Sequence, residues 1–254
     1  MESGSGLVTA WAYSSCFKPS SSPASVTSYA GLVQIVSDSD TAASSADFAS
    51  LVNAIKPSIA CDRKLLLPQQ DSQSTSPEIK LFHKVSPAAI DAWVQSALLR
   101  FTRKTGTVGN LITETVKSIG QTISISHVVL SSNATPLTDD GVIVYGAFAV
   151  DAFGAFNEEF CGKTAAIVAL RVSVPPTSDE TGTALEKLVQ QIAEHVVRSS
   201  PTQIGTIENG FDESTLLFQK LLGGSETVAQ ALSEFSRIHN VGNIQVLEFQ
   251  RVSV

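Results

Sequence analysis

"TVGNLITE" at residues 107–114 and "TVAQALSE" at 227–234 carry the same frame, opening on Thr-Val and closing on Glu, 120 residues apart in a chain of 254. The signals on either side of them repeat as well. Upstream of the first copy, "GLVTAWAY" (6–13) and "SYAGLVQIV" (28–36) read as strands joined by a Ser/Pro-rich loop. Phe48, Leu51, Val52 and Ile55 then recur at helical spacing up to Pro57. Residues 62–80 are polar and punctuated by proline, as expected of a long surface connection. Ser86-Pro87 starts a helix whose face is Ile90, Trp93, Val94, Ala97, Leu98 and Phe101. The first copy forms another helix, with Val108, Leu111, Ile112, Val116 and Ile119 on its face, and "TISISHVVL" follows as a strand.

The second half runs in the same order. "GVIVYGAFAV" (141–150) and "KTAAIVALRV" (163–172) read as a hairpin, and Leu185, Leu188, Val189, Ile192, Val196 and Val197 mark one face of a helix. A short helical piece over 214–222, a helix over 225–238 and the strand "IQVLEFQRV" complete it. The expected fold is α+β: two duplicated subdomains, about 1–135 and 136–254, each a three-stranded antiparallel sheet with helices packed on one face. A repeat this long is a duplicated subdomain rather than a solenoid.

Composition narrows the functional classes. Hydrophobic residues make up 43% and charged residues 16%, the balance of an ordered globular chain. A net charge of −7 argues against nucleic acid as a partner, because phosphate backbones demand clustered Lys and Arg. No uninterrupted apolar stretch is long enough to span a membrane. The opening "MESGSG" has the features of neither a signal nor a transit peptide and reads as a mature end given a new Met. Cys16, Cys61 and Cys161, odd in number and without CxxC spacing, read as inert or buried thiols, and Asn133 in "NAT" reads as a chance sequon.

Covalent chemistry has little to work with. "CGKT" (161–164) resembles part of a phosphate loop, but the earlier glycine of that motif falls on Asn157 and a strand follows in place of a helix. His83, His127, His195 and His239 are scattered without ligand spacing, so no metal, cofactor or catalytic residue is expected. His195 is placed on the polar side of its helix, solvated or facing a partner. In "VQIVSDSDTAASSADFASL" (33–51), Ser44, Ser45 and Asp47 suit a helix cap near Ala46. Asp38, Asp40 and Asp47 could instead be set around a calcium ion, although the Gly turn and closing Glu of such loops are missing.

Several of these segments together resemble elongation factor Ts, in its organellar, divergent form. "GGSETVAQALSEF" and its closing strand are similar to the family's Ser-x-Thr-Val-x-Gln-x-Leu-x-Glu ending. Ile192, Ala193, His195, Val196 and Pro201 match its Ile-Ala-x-His-Val helix, and "VKSIGQTISISHV" resembles its Lys-Ile-Gly-Glu-Asn segment. The likeness extends over residues 6–252. It implies two core subdomains and a guanine nucleotide exchange role toward a Tu-type GTPase in the mitochondrial matrix. The family's Thr-Asp-Phe-Val loop, which inserts beside the partner's magnesium and phosphate, falls on Ser39, Asp40, Thr41 and Ala42. The acid is kept and the aromatic is not. The family's N-terminal three-helix docking module and coiled-coil insertion also have no counterpart. These departures suit an alternative, a descendant serving as an accessory subunit of a mitochondrial multiprotein assembly.

Overall fold

Ten-residue strands β1 (Ser5–Ser14) and β2 (Ser28–Ser37) form an antiparallel hairpin, with Ser5 opposite Ser37 and Ser14 opposite Ser28. The computed structural model describes residues 5–14, 28–67, 80–100, 105–132, 141–150, 161–205, 212 and 214–254. After β2 come α1 (Asp40–Ala43), α2 (Ala46–Leu66), β3 (Phe82–Lys84), α3 (Pro87–Ser96), α4 (Val108–Ile119) and β4 (Ile123–Ser131). The second half supplies β5 (Val142–Val150), β6 (Cys161–Gly162), β7 (Thr164–Val172), α5 (Asp179–Ser199), a 3-10 turn (Leu216–Phe218), α6 (Val228–His239) and β8 (Ile244–Ser253). One antiparallel sheet runs β3-β4-β2-β1-β6 and the other β5-β7-β8. The α+β class is therefore the one expected. The first sheet has five strands where three were expected, because two short segments pair on its edges. β3 binds the outer side of β4, and β6, arriving from the second half, binds β1 at Val8 and Thr9.

The repeat reaches the level of backbone detail. Thr107 and Thr227 each cap their helix, accepting from the N–H three residues on, and each helix ends in a left-handed residue, Gly120 or Asn240. Each then leads into the strand that pairs with the central one. Gln34 and Ile35 oppose His127 and Ile125, which leaves Ser126 unopposed; Ala169 and Leu170 oppose Glu248 and Val246, which leaves Leu247 unopposed. The same bulge thus recurs in the same strand of each half.

Helices cover only the outer face of each sheet. Leu7, Val33, Ile35, Val128 and Leu130 pack under α2, α3 and α4, and Val144, Ala166, Val168 and Leu170 under α5 and α6. The remaining faces pack on each other. Val8, Ala10, Ala30, Leu32 and Val129 meet Tyr145, Ala147, Ala165, Ile167 and Ala169 in a third apolar layer. The order is helices, sheet, sheet, helices. Strands buried on both faces explain why "AAIVAL" and "GLVQIV" show no polar alternation.

Several boundaries differ from the sequence reading. α2 does not end at Pro57 but runs on to Leu66. Proline removes the N–H that would bond the Asn53 carbonyl, a single hydrogen bond lost from a helix that is otherwise continuous, and Asn53 itself is exposed. Ile55, Ile59, Asp62 and Leu66 continue the buried stripe, so the surface connection starts later than residue 62. α3 ends at Ser96, and Leu98, expected on its buried face, is 61% exposed. Cys61 is exposed while Cys161 is buried. Cys16, Phe101, Asn133 and Asn157 lie outside the described residues. Among the described residues, no helix is long and apolar enough to cross a membrane.

Candidate functional site

The acidic stretch after β2 folds into a single helical turn, α1, wedged against the ends of β1 and β2. Ser37 donates its hydroxyl to the Ser39 carbonyl, turning the chain out of the sheet. Ser39 then caps α1: its Oγ accepts from the Ala42 N–H at 3.3 Å and donates to Gln121 Oε1 at 2.5 Å. Ser45 caps α2 by accepting from the Phe48 N–H, and donates in turn to the Ala42 carbonyl. Of the three residues expected at the cap near Ala46, Ser45 is the cap and Asp47 stands in the first turn, whereas the Ser44 hydroxyl donates to the Asp40 carbonyl; Ser39 is an unforeseen cap of α1.

The carboxylates separate. Asp38 accepts from the Thr122 N–H at 2.9 Å, and Asp47 accepts from the Ser118 hydroxyl. Asp40 accepts from the Ser5 hydroxyl at 3.0 Å and pairs with the Lys163 ammonium at 3.5 Å. Among the described residues, no group of three or more His, Cys, Asp or Glu could hold a metal ion. The calcium arrangement is therefore set aside: the three acids are each drawn to a different neighbour.

What remains outward is small and well defined. Asp40 and Thr41 are exposed, with the Asp40 side chain at 62%, while Ala42 and Ala43 turn into the core at 1% and 0%. Of the four positions that match the family loop, Ser39 is half-buried in its cap, Ala42 is interior, and Asp40 and Thr41 form the tip. The tip is braced by the α4–β4 turn through Gln121 and Thr122, by β1 through Ser5, and by the β6–β7 turn through Lys163. Nothing in the spacing of the sequence links residue 163 to residue 40. The only signal was that "CGKT" stood out. Gly162 is required there, since a Cβ would come 1.9 Å from the Val150 carbonyl oxygen.

His195 is not at the surface. It is 1% exposed, its Nε2–H donates to Gln219 Oε1 at 2.8 Å, and Nδ1 faces the Ser199 hydroxyl. Burial lowers its pKa below the ordinary 6.5, opposed in part by the Gln219 bond. The misplacement has a simple cause. Residue 195 follows Leu188 and Ile192 by seven and three, the spacing of a shared helix face, and only its polarity suggested otherwise. His195 is thus a core histidine, far from the loop in sequence and without a surface to offer a partner. The chain matches no protein-family model, and comparison with curated proteins yields no match.

Proposed function

We propose that the protein is a guanine nucleotide exchange factor for a Tu-type elongation GTPase of the mitochondrial matrix, acting by contact and without a reaction of its own. The observation that carries this reading is the braced, outward Asp40–Thr41 tip at the positions matching the family's inserting loop. The duplicated halves support it as well. An exchange factor works by binding the nucleotide-poor partner more tightly than the GDP-bound one, and the coupling is reciprocal, typically about 1–3 kcal/mol. A loop fixed before contact loses little conformational freedom on docking, so more of its binding energy is left to oppose GDP.

Thr41 limits the effect. Burying a large apolar side chain contributes about 1.5–3 kcal/mol. Threonine recovers little of that and adds a hydroxyl that needs a partner. Exchange should therefore be about 10- to 100-fold slower than with a phenylalanine at this position, at about 1.4 kcal/mol per decade. Stopped-flow release of a fluorescent GDP analogue from the cognate GTPase tests this. Thr41→Phe is expected to accelerate release and Asp40→Ala to slow it, with the fold unchanged because both side chains are exposed.

A second reading is favoured by the Asp40–Lys163 pair and the lost aromatic: an accessory subunit of a mitochondrial multiprotein assembly, with no exchange activity. Release at the spontaneous rate for the wild type and both variants would establish that reading in place of the first.

A further inference from the structure

The tip that carries Asp40 belongs to the first half of the chain, and one of the groups that hold it belongs to the second. Lys163 stands between β6 and β7, where its backbone is tied on both sides. Gly162, just before it, pairs with Val8 of β1, and the Lys163 carbonyl accepts from the Val254 N–H at 3.0 Å. With the main chain fixed in this way, the flexible stem of the side chain carries its ammonium to within 3.5 Å of Asp40.

The two contacts meet on one oxygen. The Ser5 hydroxyl donates to Asp40 Oδ1 at 3.0 Å, and the Lys163 ammonium stands 3.5 Å from the same atom. Among the described residues, no hydrogen bond reaches Oδ2. The Asp40 backbone is bonded as well, its carbonyl accepting from the Ser44 N–H at 3.0 Å and the Ser44 hydroxyl at 2.7 Å. A carboxylate with a fixed backbone and one oxygen held from two directions keeps its second oxygen aimed one way. An ion pair as exposed as this adds little to the stability of a fold. Its effect is on orientation, since a group ordered before contact loses less freedom when a partner binds it.

We propose that Lys163 is a positioning residue for the exchange tip: from the second half of the chain it holds Asp40 Oδ1, so that Oδ2 is presented to a hydrogen-bond donor of the GTPase. The inference rests on the exchange reading and names how that same site is set, a first-half loop aimed by the stacking of the two halves. Two measurements on the full chain separate it from the reading beneath it. The first needs no partner: hydrogen exchange, followed by NMR, at the Ala43 and Ser44 amides, which bond the Ser39 and Asp40 carbonyls across α1. Lys163→Met should speed both amides by about two- to fivefold, the range that an exposed pair supports. Lys163→Arg, which keeps the charge, should restore the wild-type rates. The second is release of the fluorescent GDP analogue, which Lys163→Met should slow by about two- to fivefold and Lys163→Arg should not. In an Asp40→Ala background, Lys163→Met should change release no further, because the lysine acts through that carboxylate. The Lys163 side chain is 42% exposed, so circular dichroism should report an unchanged fold. Three results would each overturn the proposal while leaving the exchange reading in place: unchanged amides in Lys163→Met, unchanged release beside an active wild type, or an equal further loss in the Asp40→Ala background. Release at the spontaneous rate with the wild type, while the amides respond, would overturn the exchange reading and with it the presentation of Oδ2 to a GTPase.

Discussion

A Cβ placed on Gly31 would stand 2.2 Å from Cζ2 of Trp11, because the indole lies flat across β2 where the two residues face each other. Gly31→Ala must therefore displace a ring that is 7% exposed, and overpacking of that kind costs about 1–3 kcal/mol. Urea unfolding should show a lower midpoint at an unchanged slope. Asp62 gives a contrasting case, a buried acid with partners. Its carboxylate accepts from Trp93 Nε1 at 3.1 Å and from Arg100 Nη2 at 3.2 Å. Asp62→Ala leaves the indole N–H without an acceptor, and about 1–3 kcal/mol should be lost in the same assay. His195 makes the fold sensitive to acid. Its folded-state pKa is lowered, mainly by burial, so the unfolded chain takes up the proton first as pH falls. Stability that is fully present above about 6.5 is then lost below it. His127 adds to this in the same direction, through burial and then the nearby Lys84 charge. Thermal melts from about pH 8 down to about pH 5 should show the loss, and His195→Gln should lessen it; an unaltered profile in the variant would rule His195 out as the group responsible.

The paired helices α4 and α6 allow the same substitution to be made twice. Both begin at a threonine that accepts from the N–H three residues on, at 3.2 Å in each case. Only Thr227 has the reciprocal bond, in which Gln230 Oε1 accepts from the Thr227 N–H at 2.8 Å. Loss of an N-cap side chain costs about 0.5–2 kcal/mol. Thr227→Ala and Thr107→Ala should therefore cost similar amounts, whereas Gln230→Ala removes the reciprocal bond to the Thr227 N–H and should add its own loss at α6; a Gln230→Ala variant as stable as the wild type in calorimetry would contradict this. These helices and their strands were legible in the sequence because local signals coincide there: a cap, an amphipathic run and a left-handed stop. Where local and tertiary forces diverge, the letters mislead. Pro57 marks a helix end by local rules, yet the buried stripe from Ile55 to Leu66 carries α2 past it. Leu98 fits the face of α3, but the chain has already left the helix at Ala97 to bridge Thr107. At the loop, Ser45 was readable as a cap from type and position. The hold of Lys163 on Asp40 was not, since it depends on how two halves of the chain are stacked.

The two sheets share a layer that neither half completes alone. Val8, Ala10, Leu32 and Phe82 of the first half and Ala165, Ile167 and Ala169 of the second are each at most 2% exposed and belong to one apolar cluster. Polar bonds join the halves as well. Glu248 of β8 accepts from the Leu81 and Phe82 N–H groups at 2.8 and 3.1 Å, taking up donors at the edge of the other sheet, and Gln34 donates to the Ser253 carbonyl. β6 crosses from the second half to lengthen the first sheet, two residues before its chain enters β7 of the second. Unfolding one half would expose the apolar face of the other, at about 25 cal/mol for each Å² uncovered. The whole chain should therefore unfold in a single transition, with far-UV circular dichroism and tryptophan fluorescence coincident, even though both tryptophans lie in the first half. Residues 1–135 produced alone should aggregate or self-associate through the uncovered layer, and mixing them with residues 136–254 during refolding should restore the soluble fold. Glu248→Ala should lower the single midpoint without splitting it. Two separated transitions in the intact chain, or a monomeric and stable 1–135 fragment, would show instead that each half holds its structure without the shared layer.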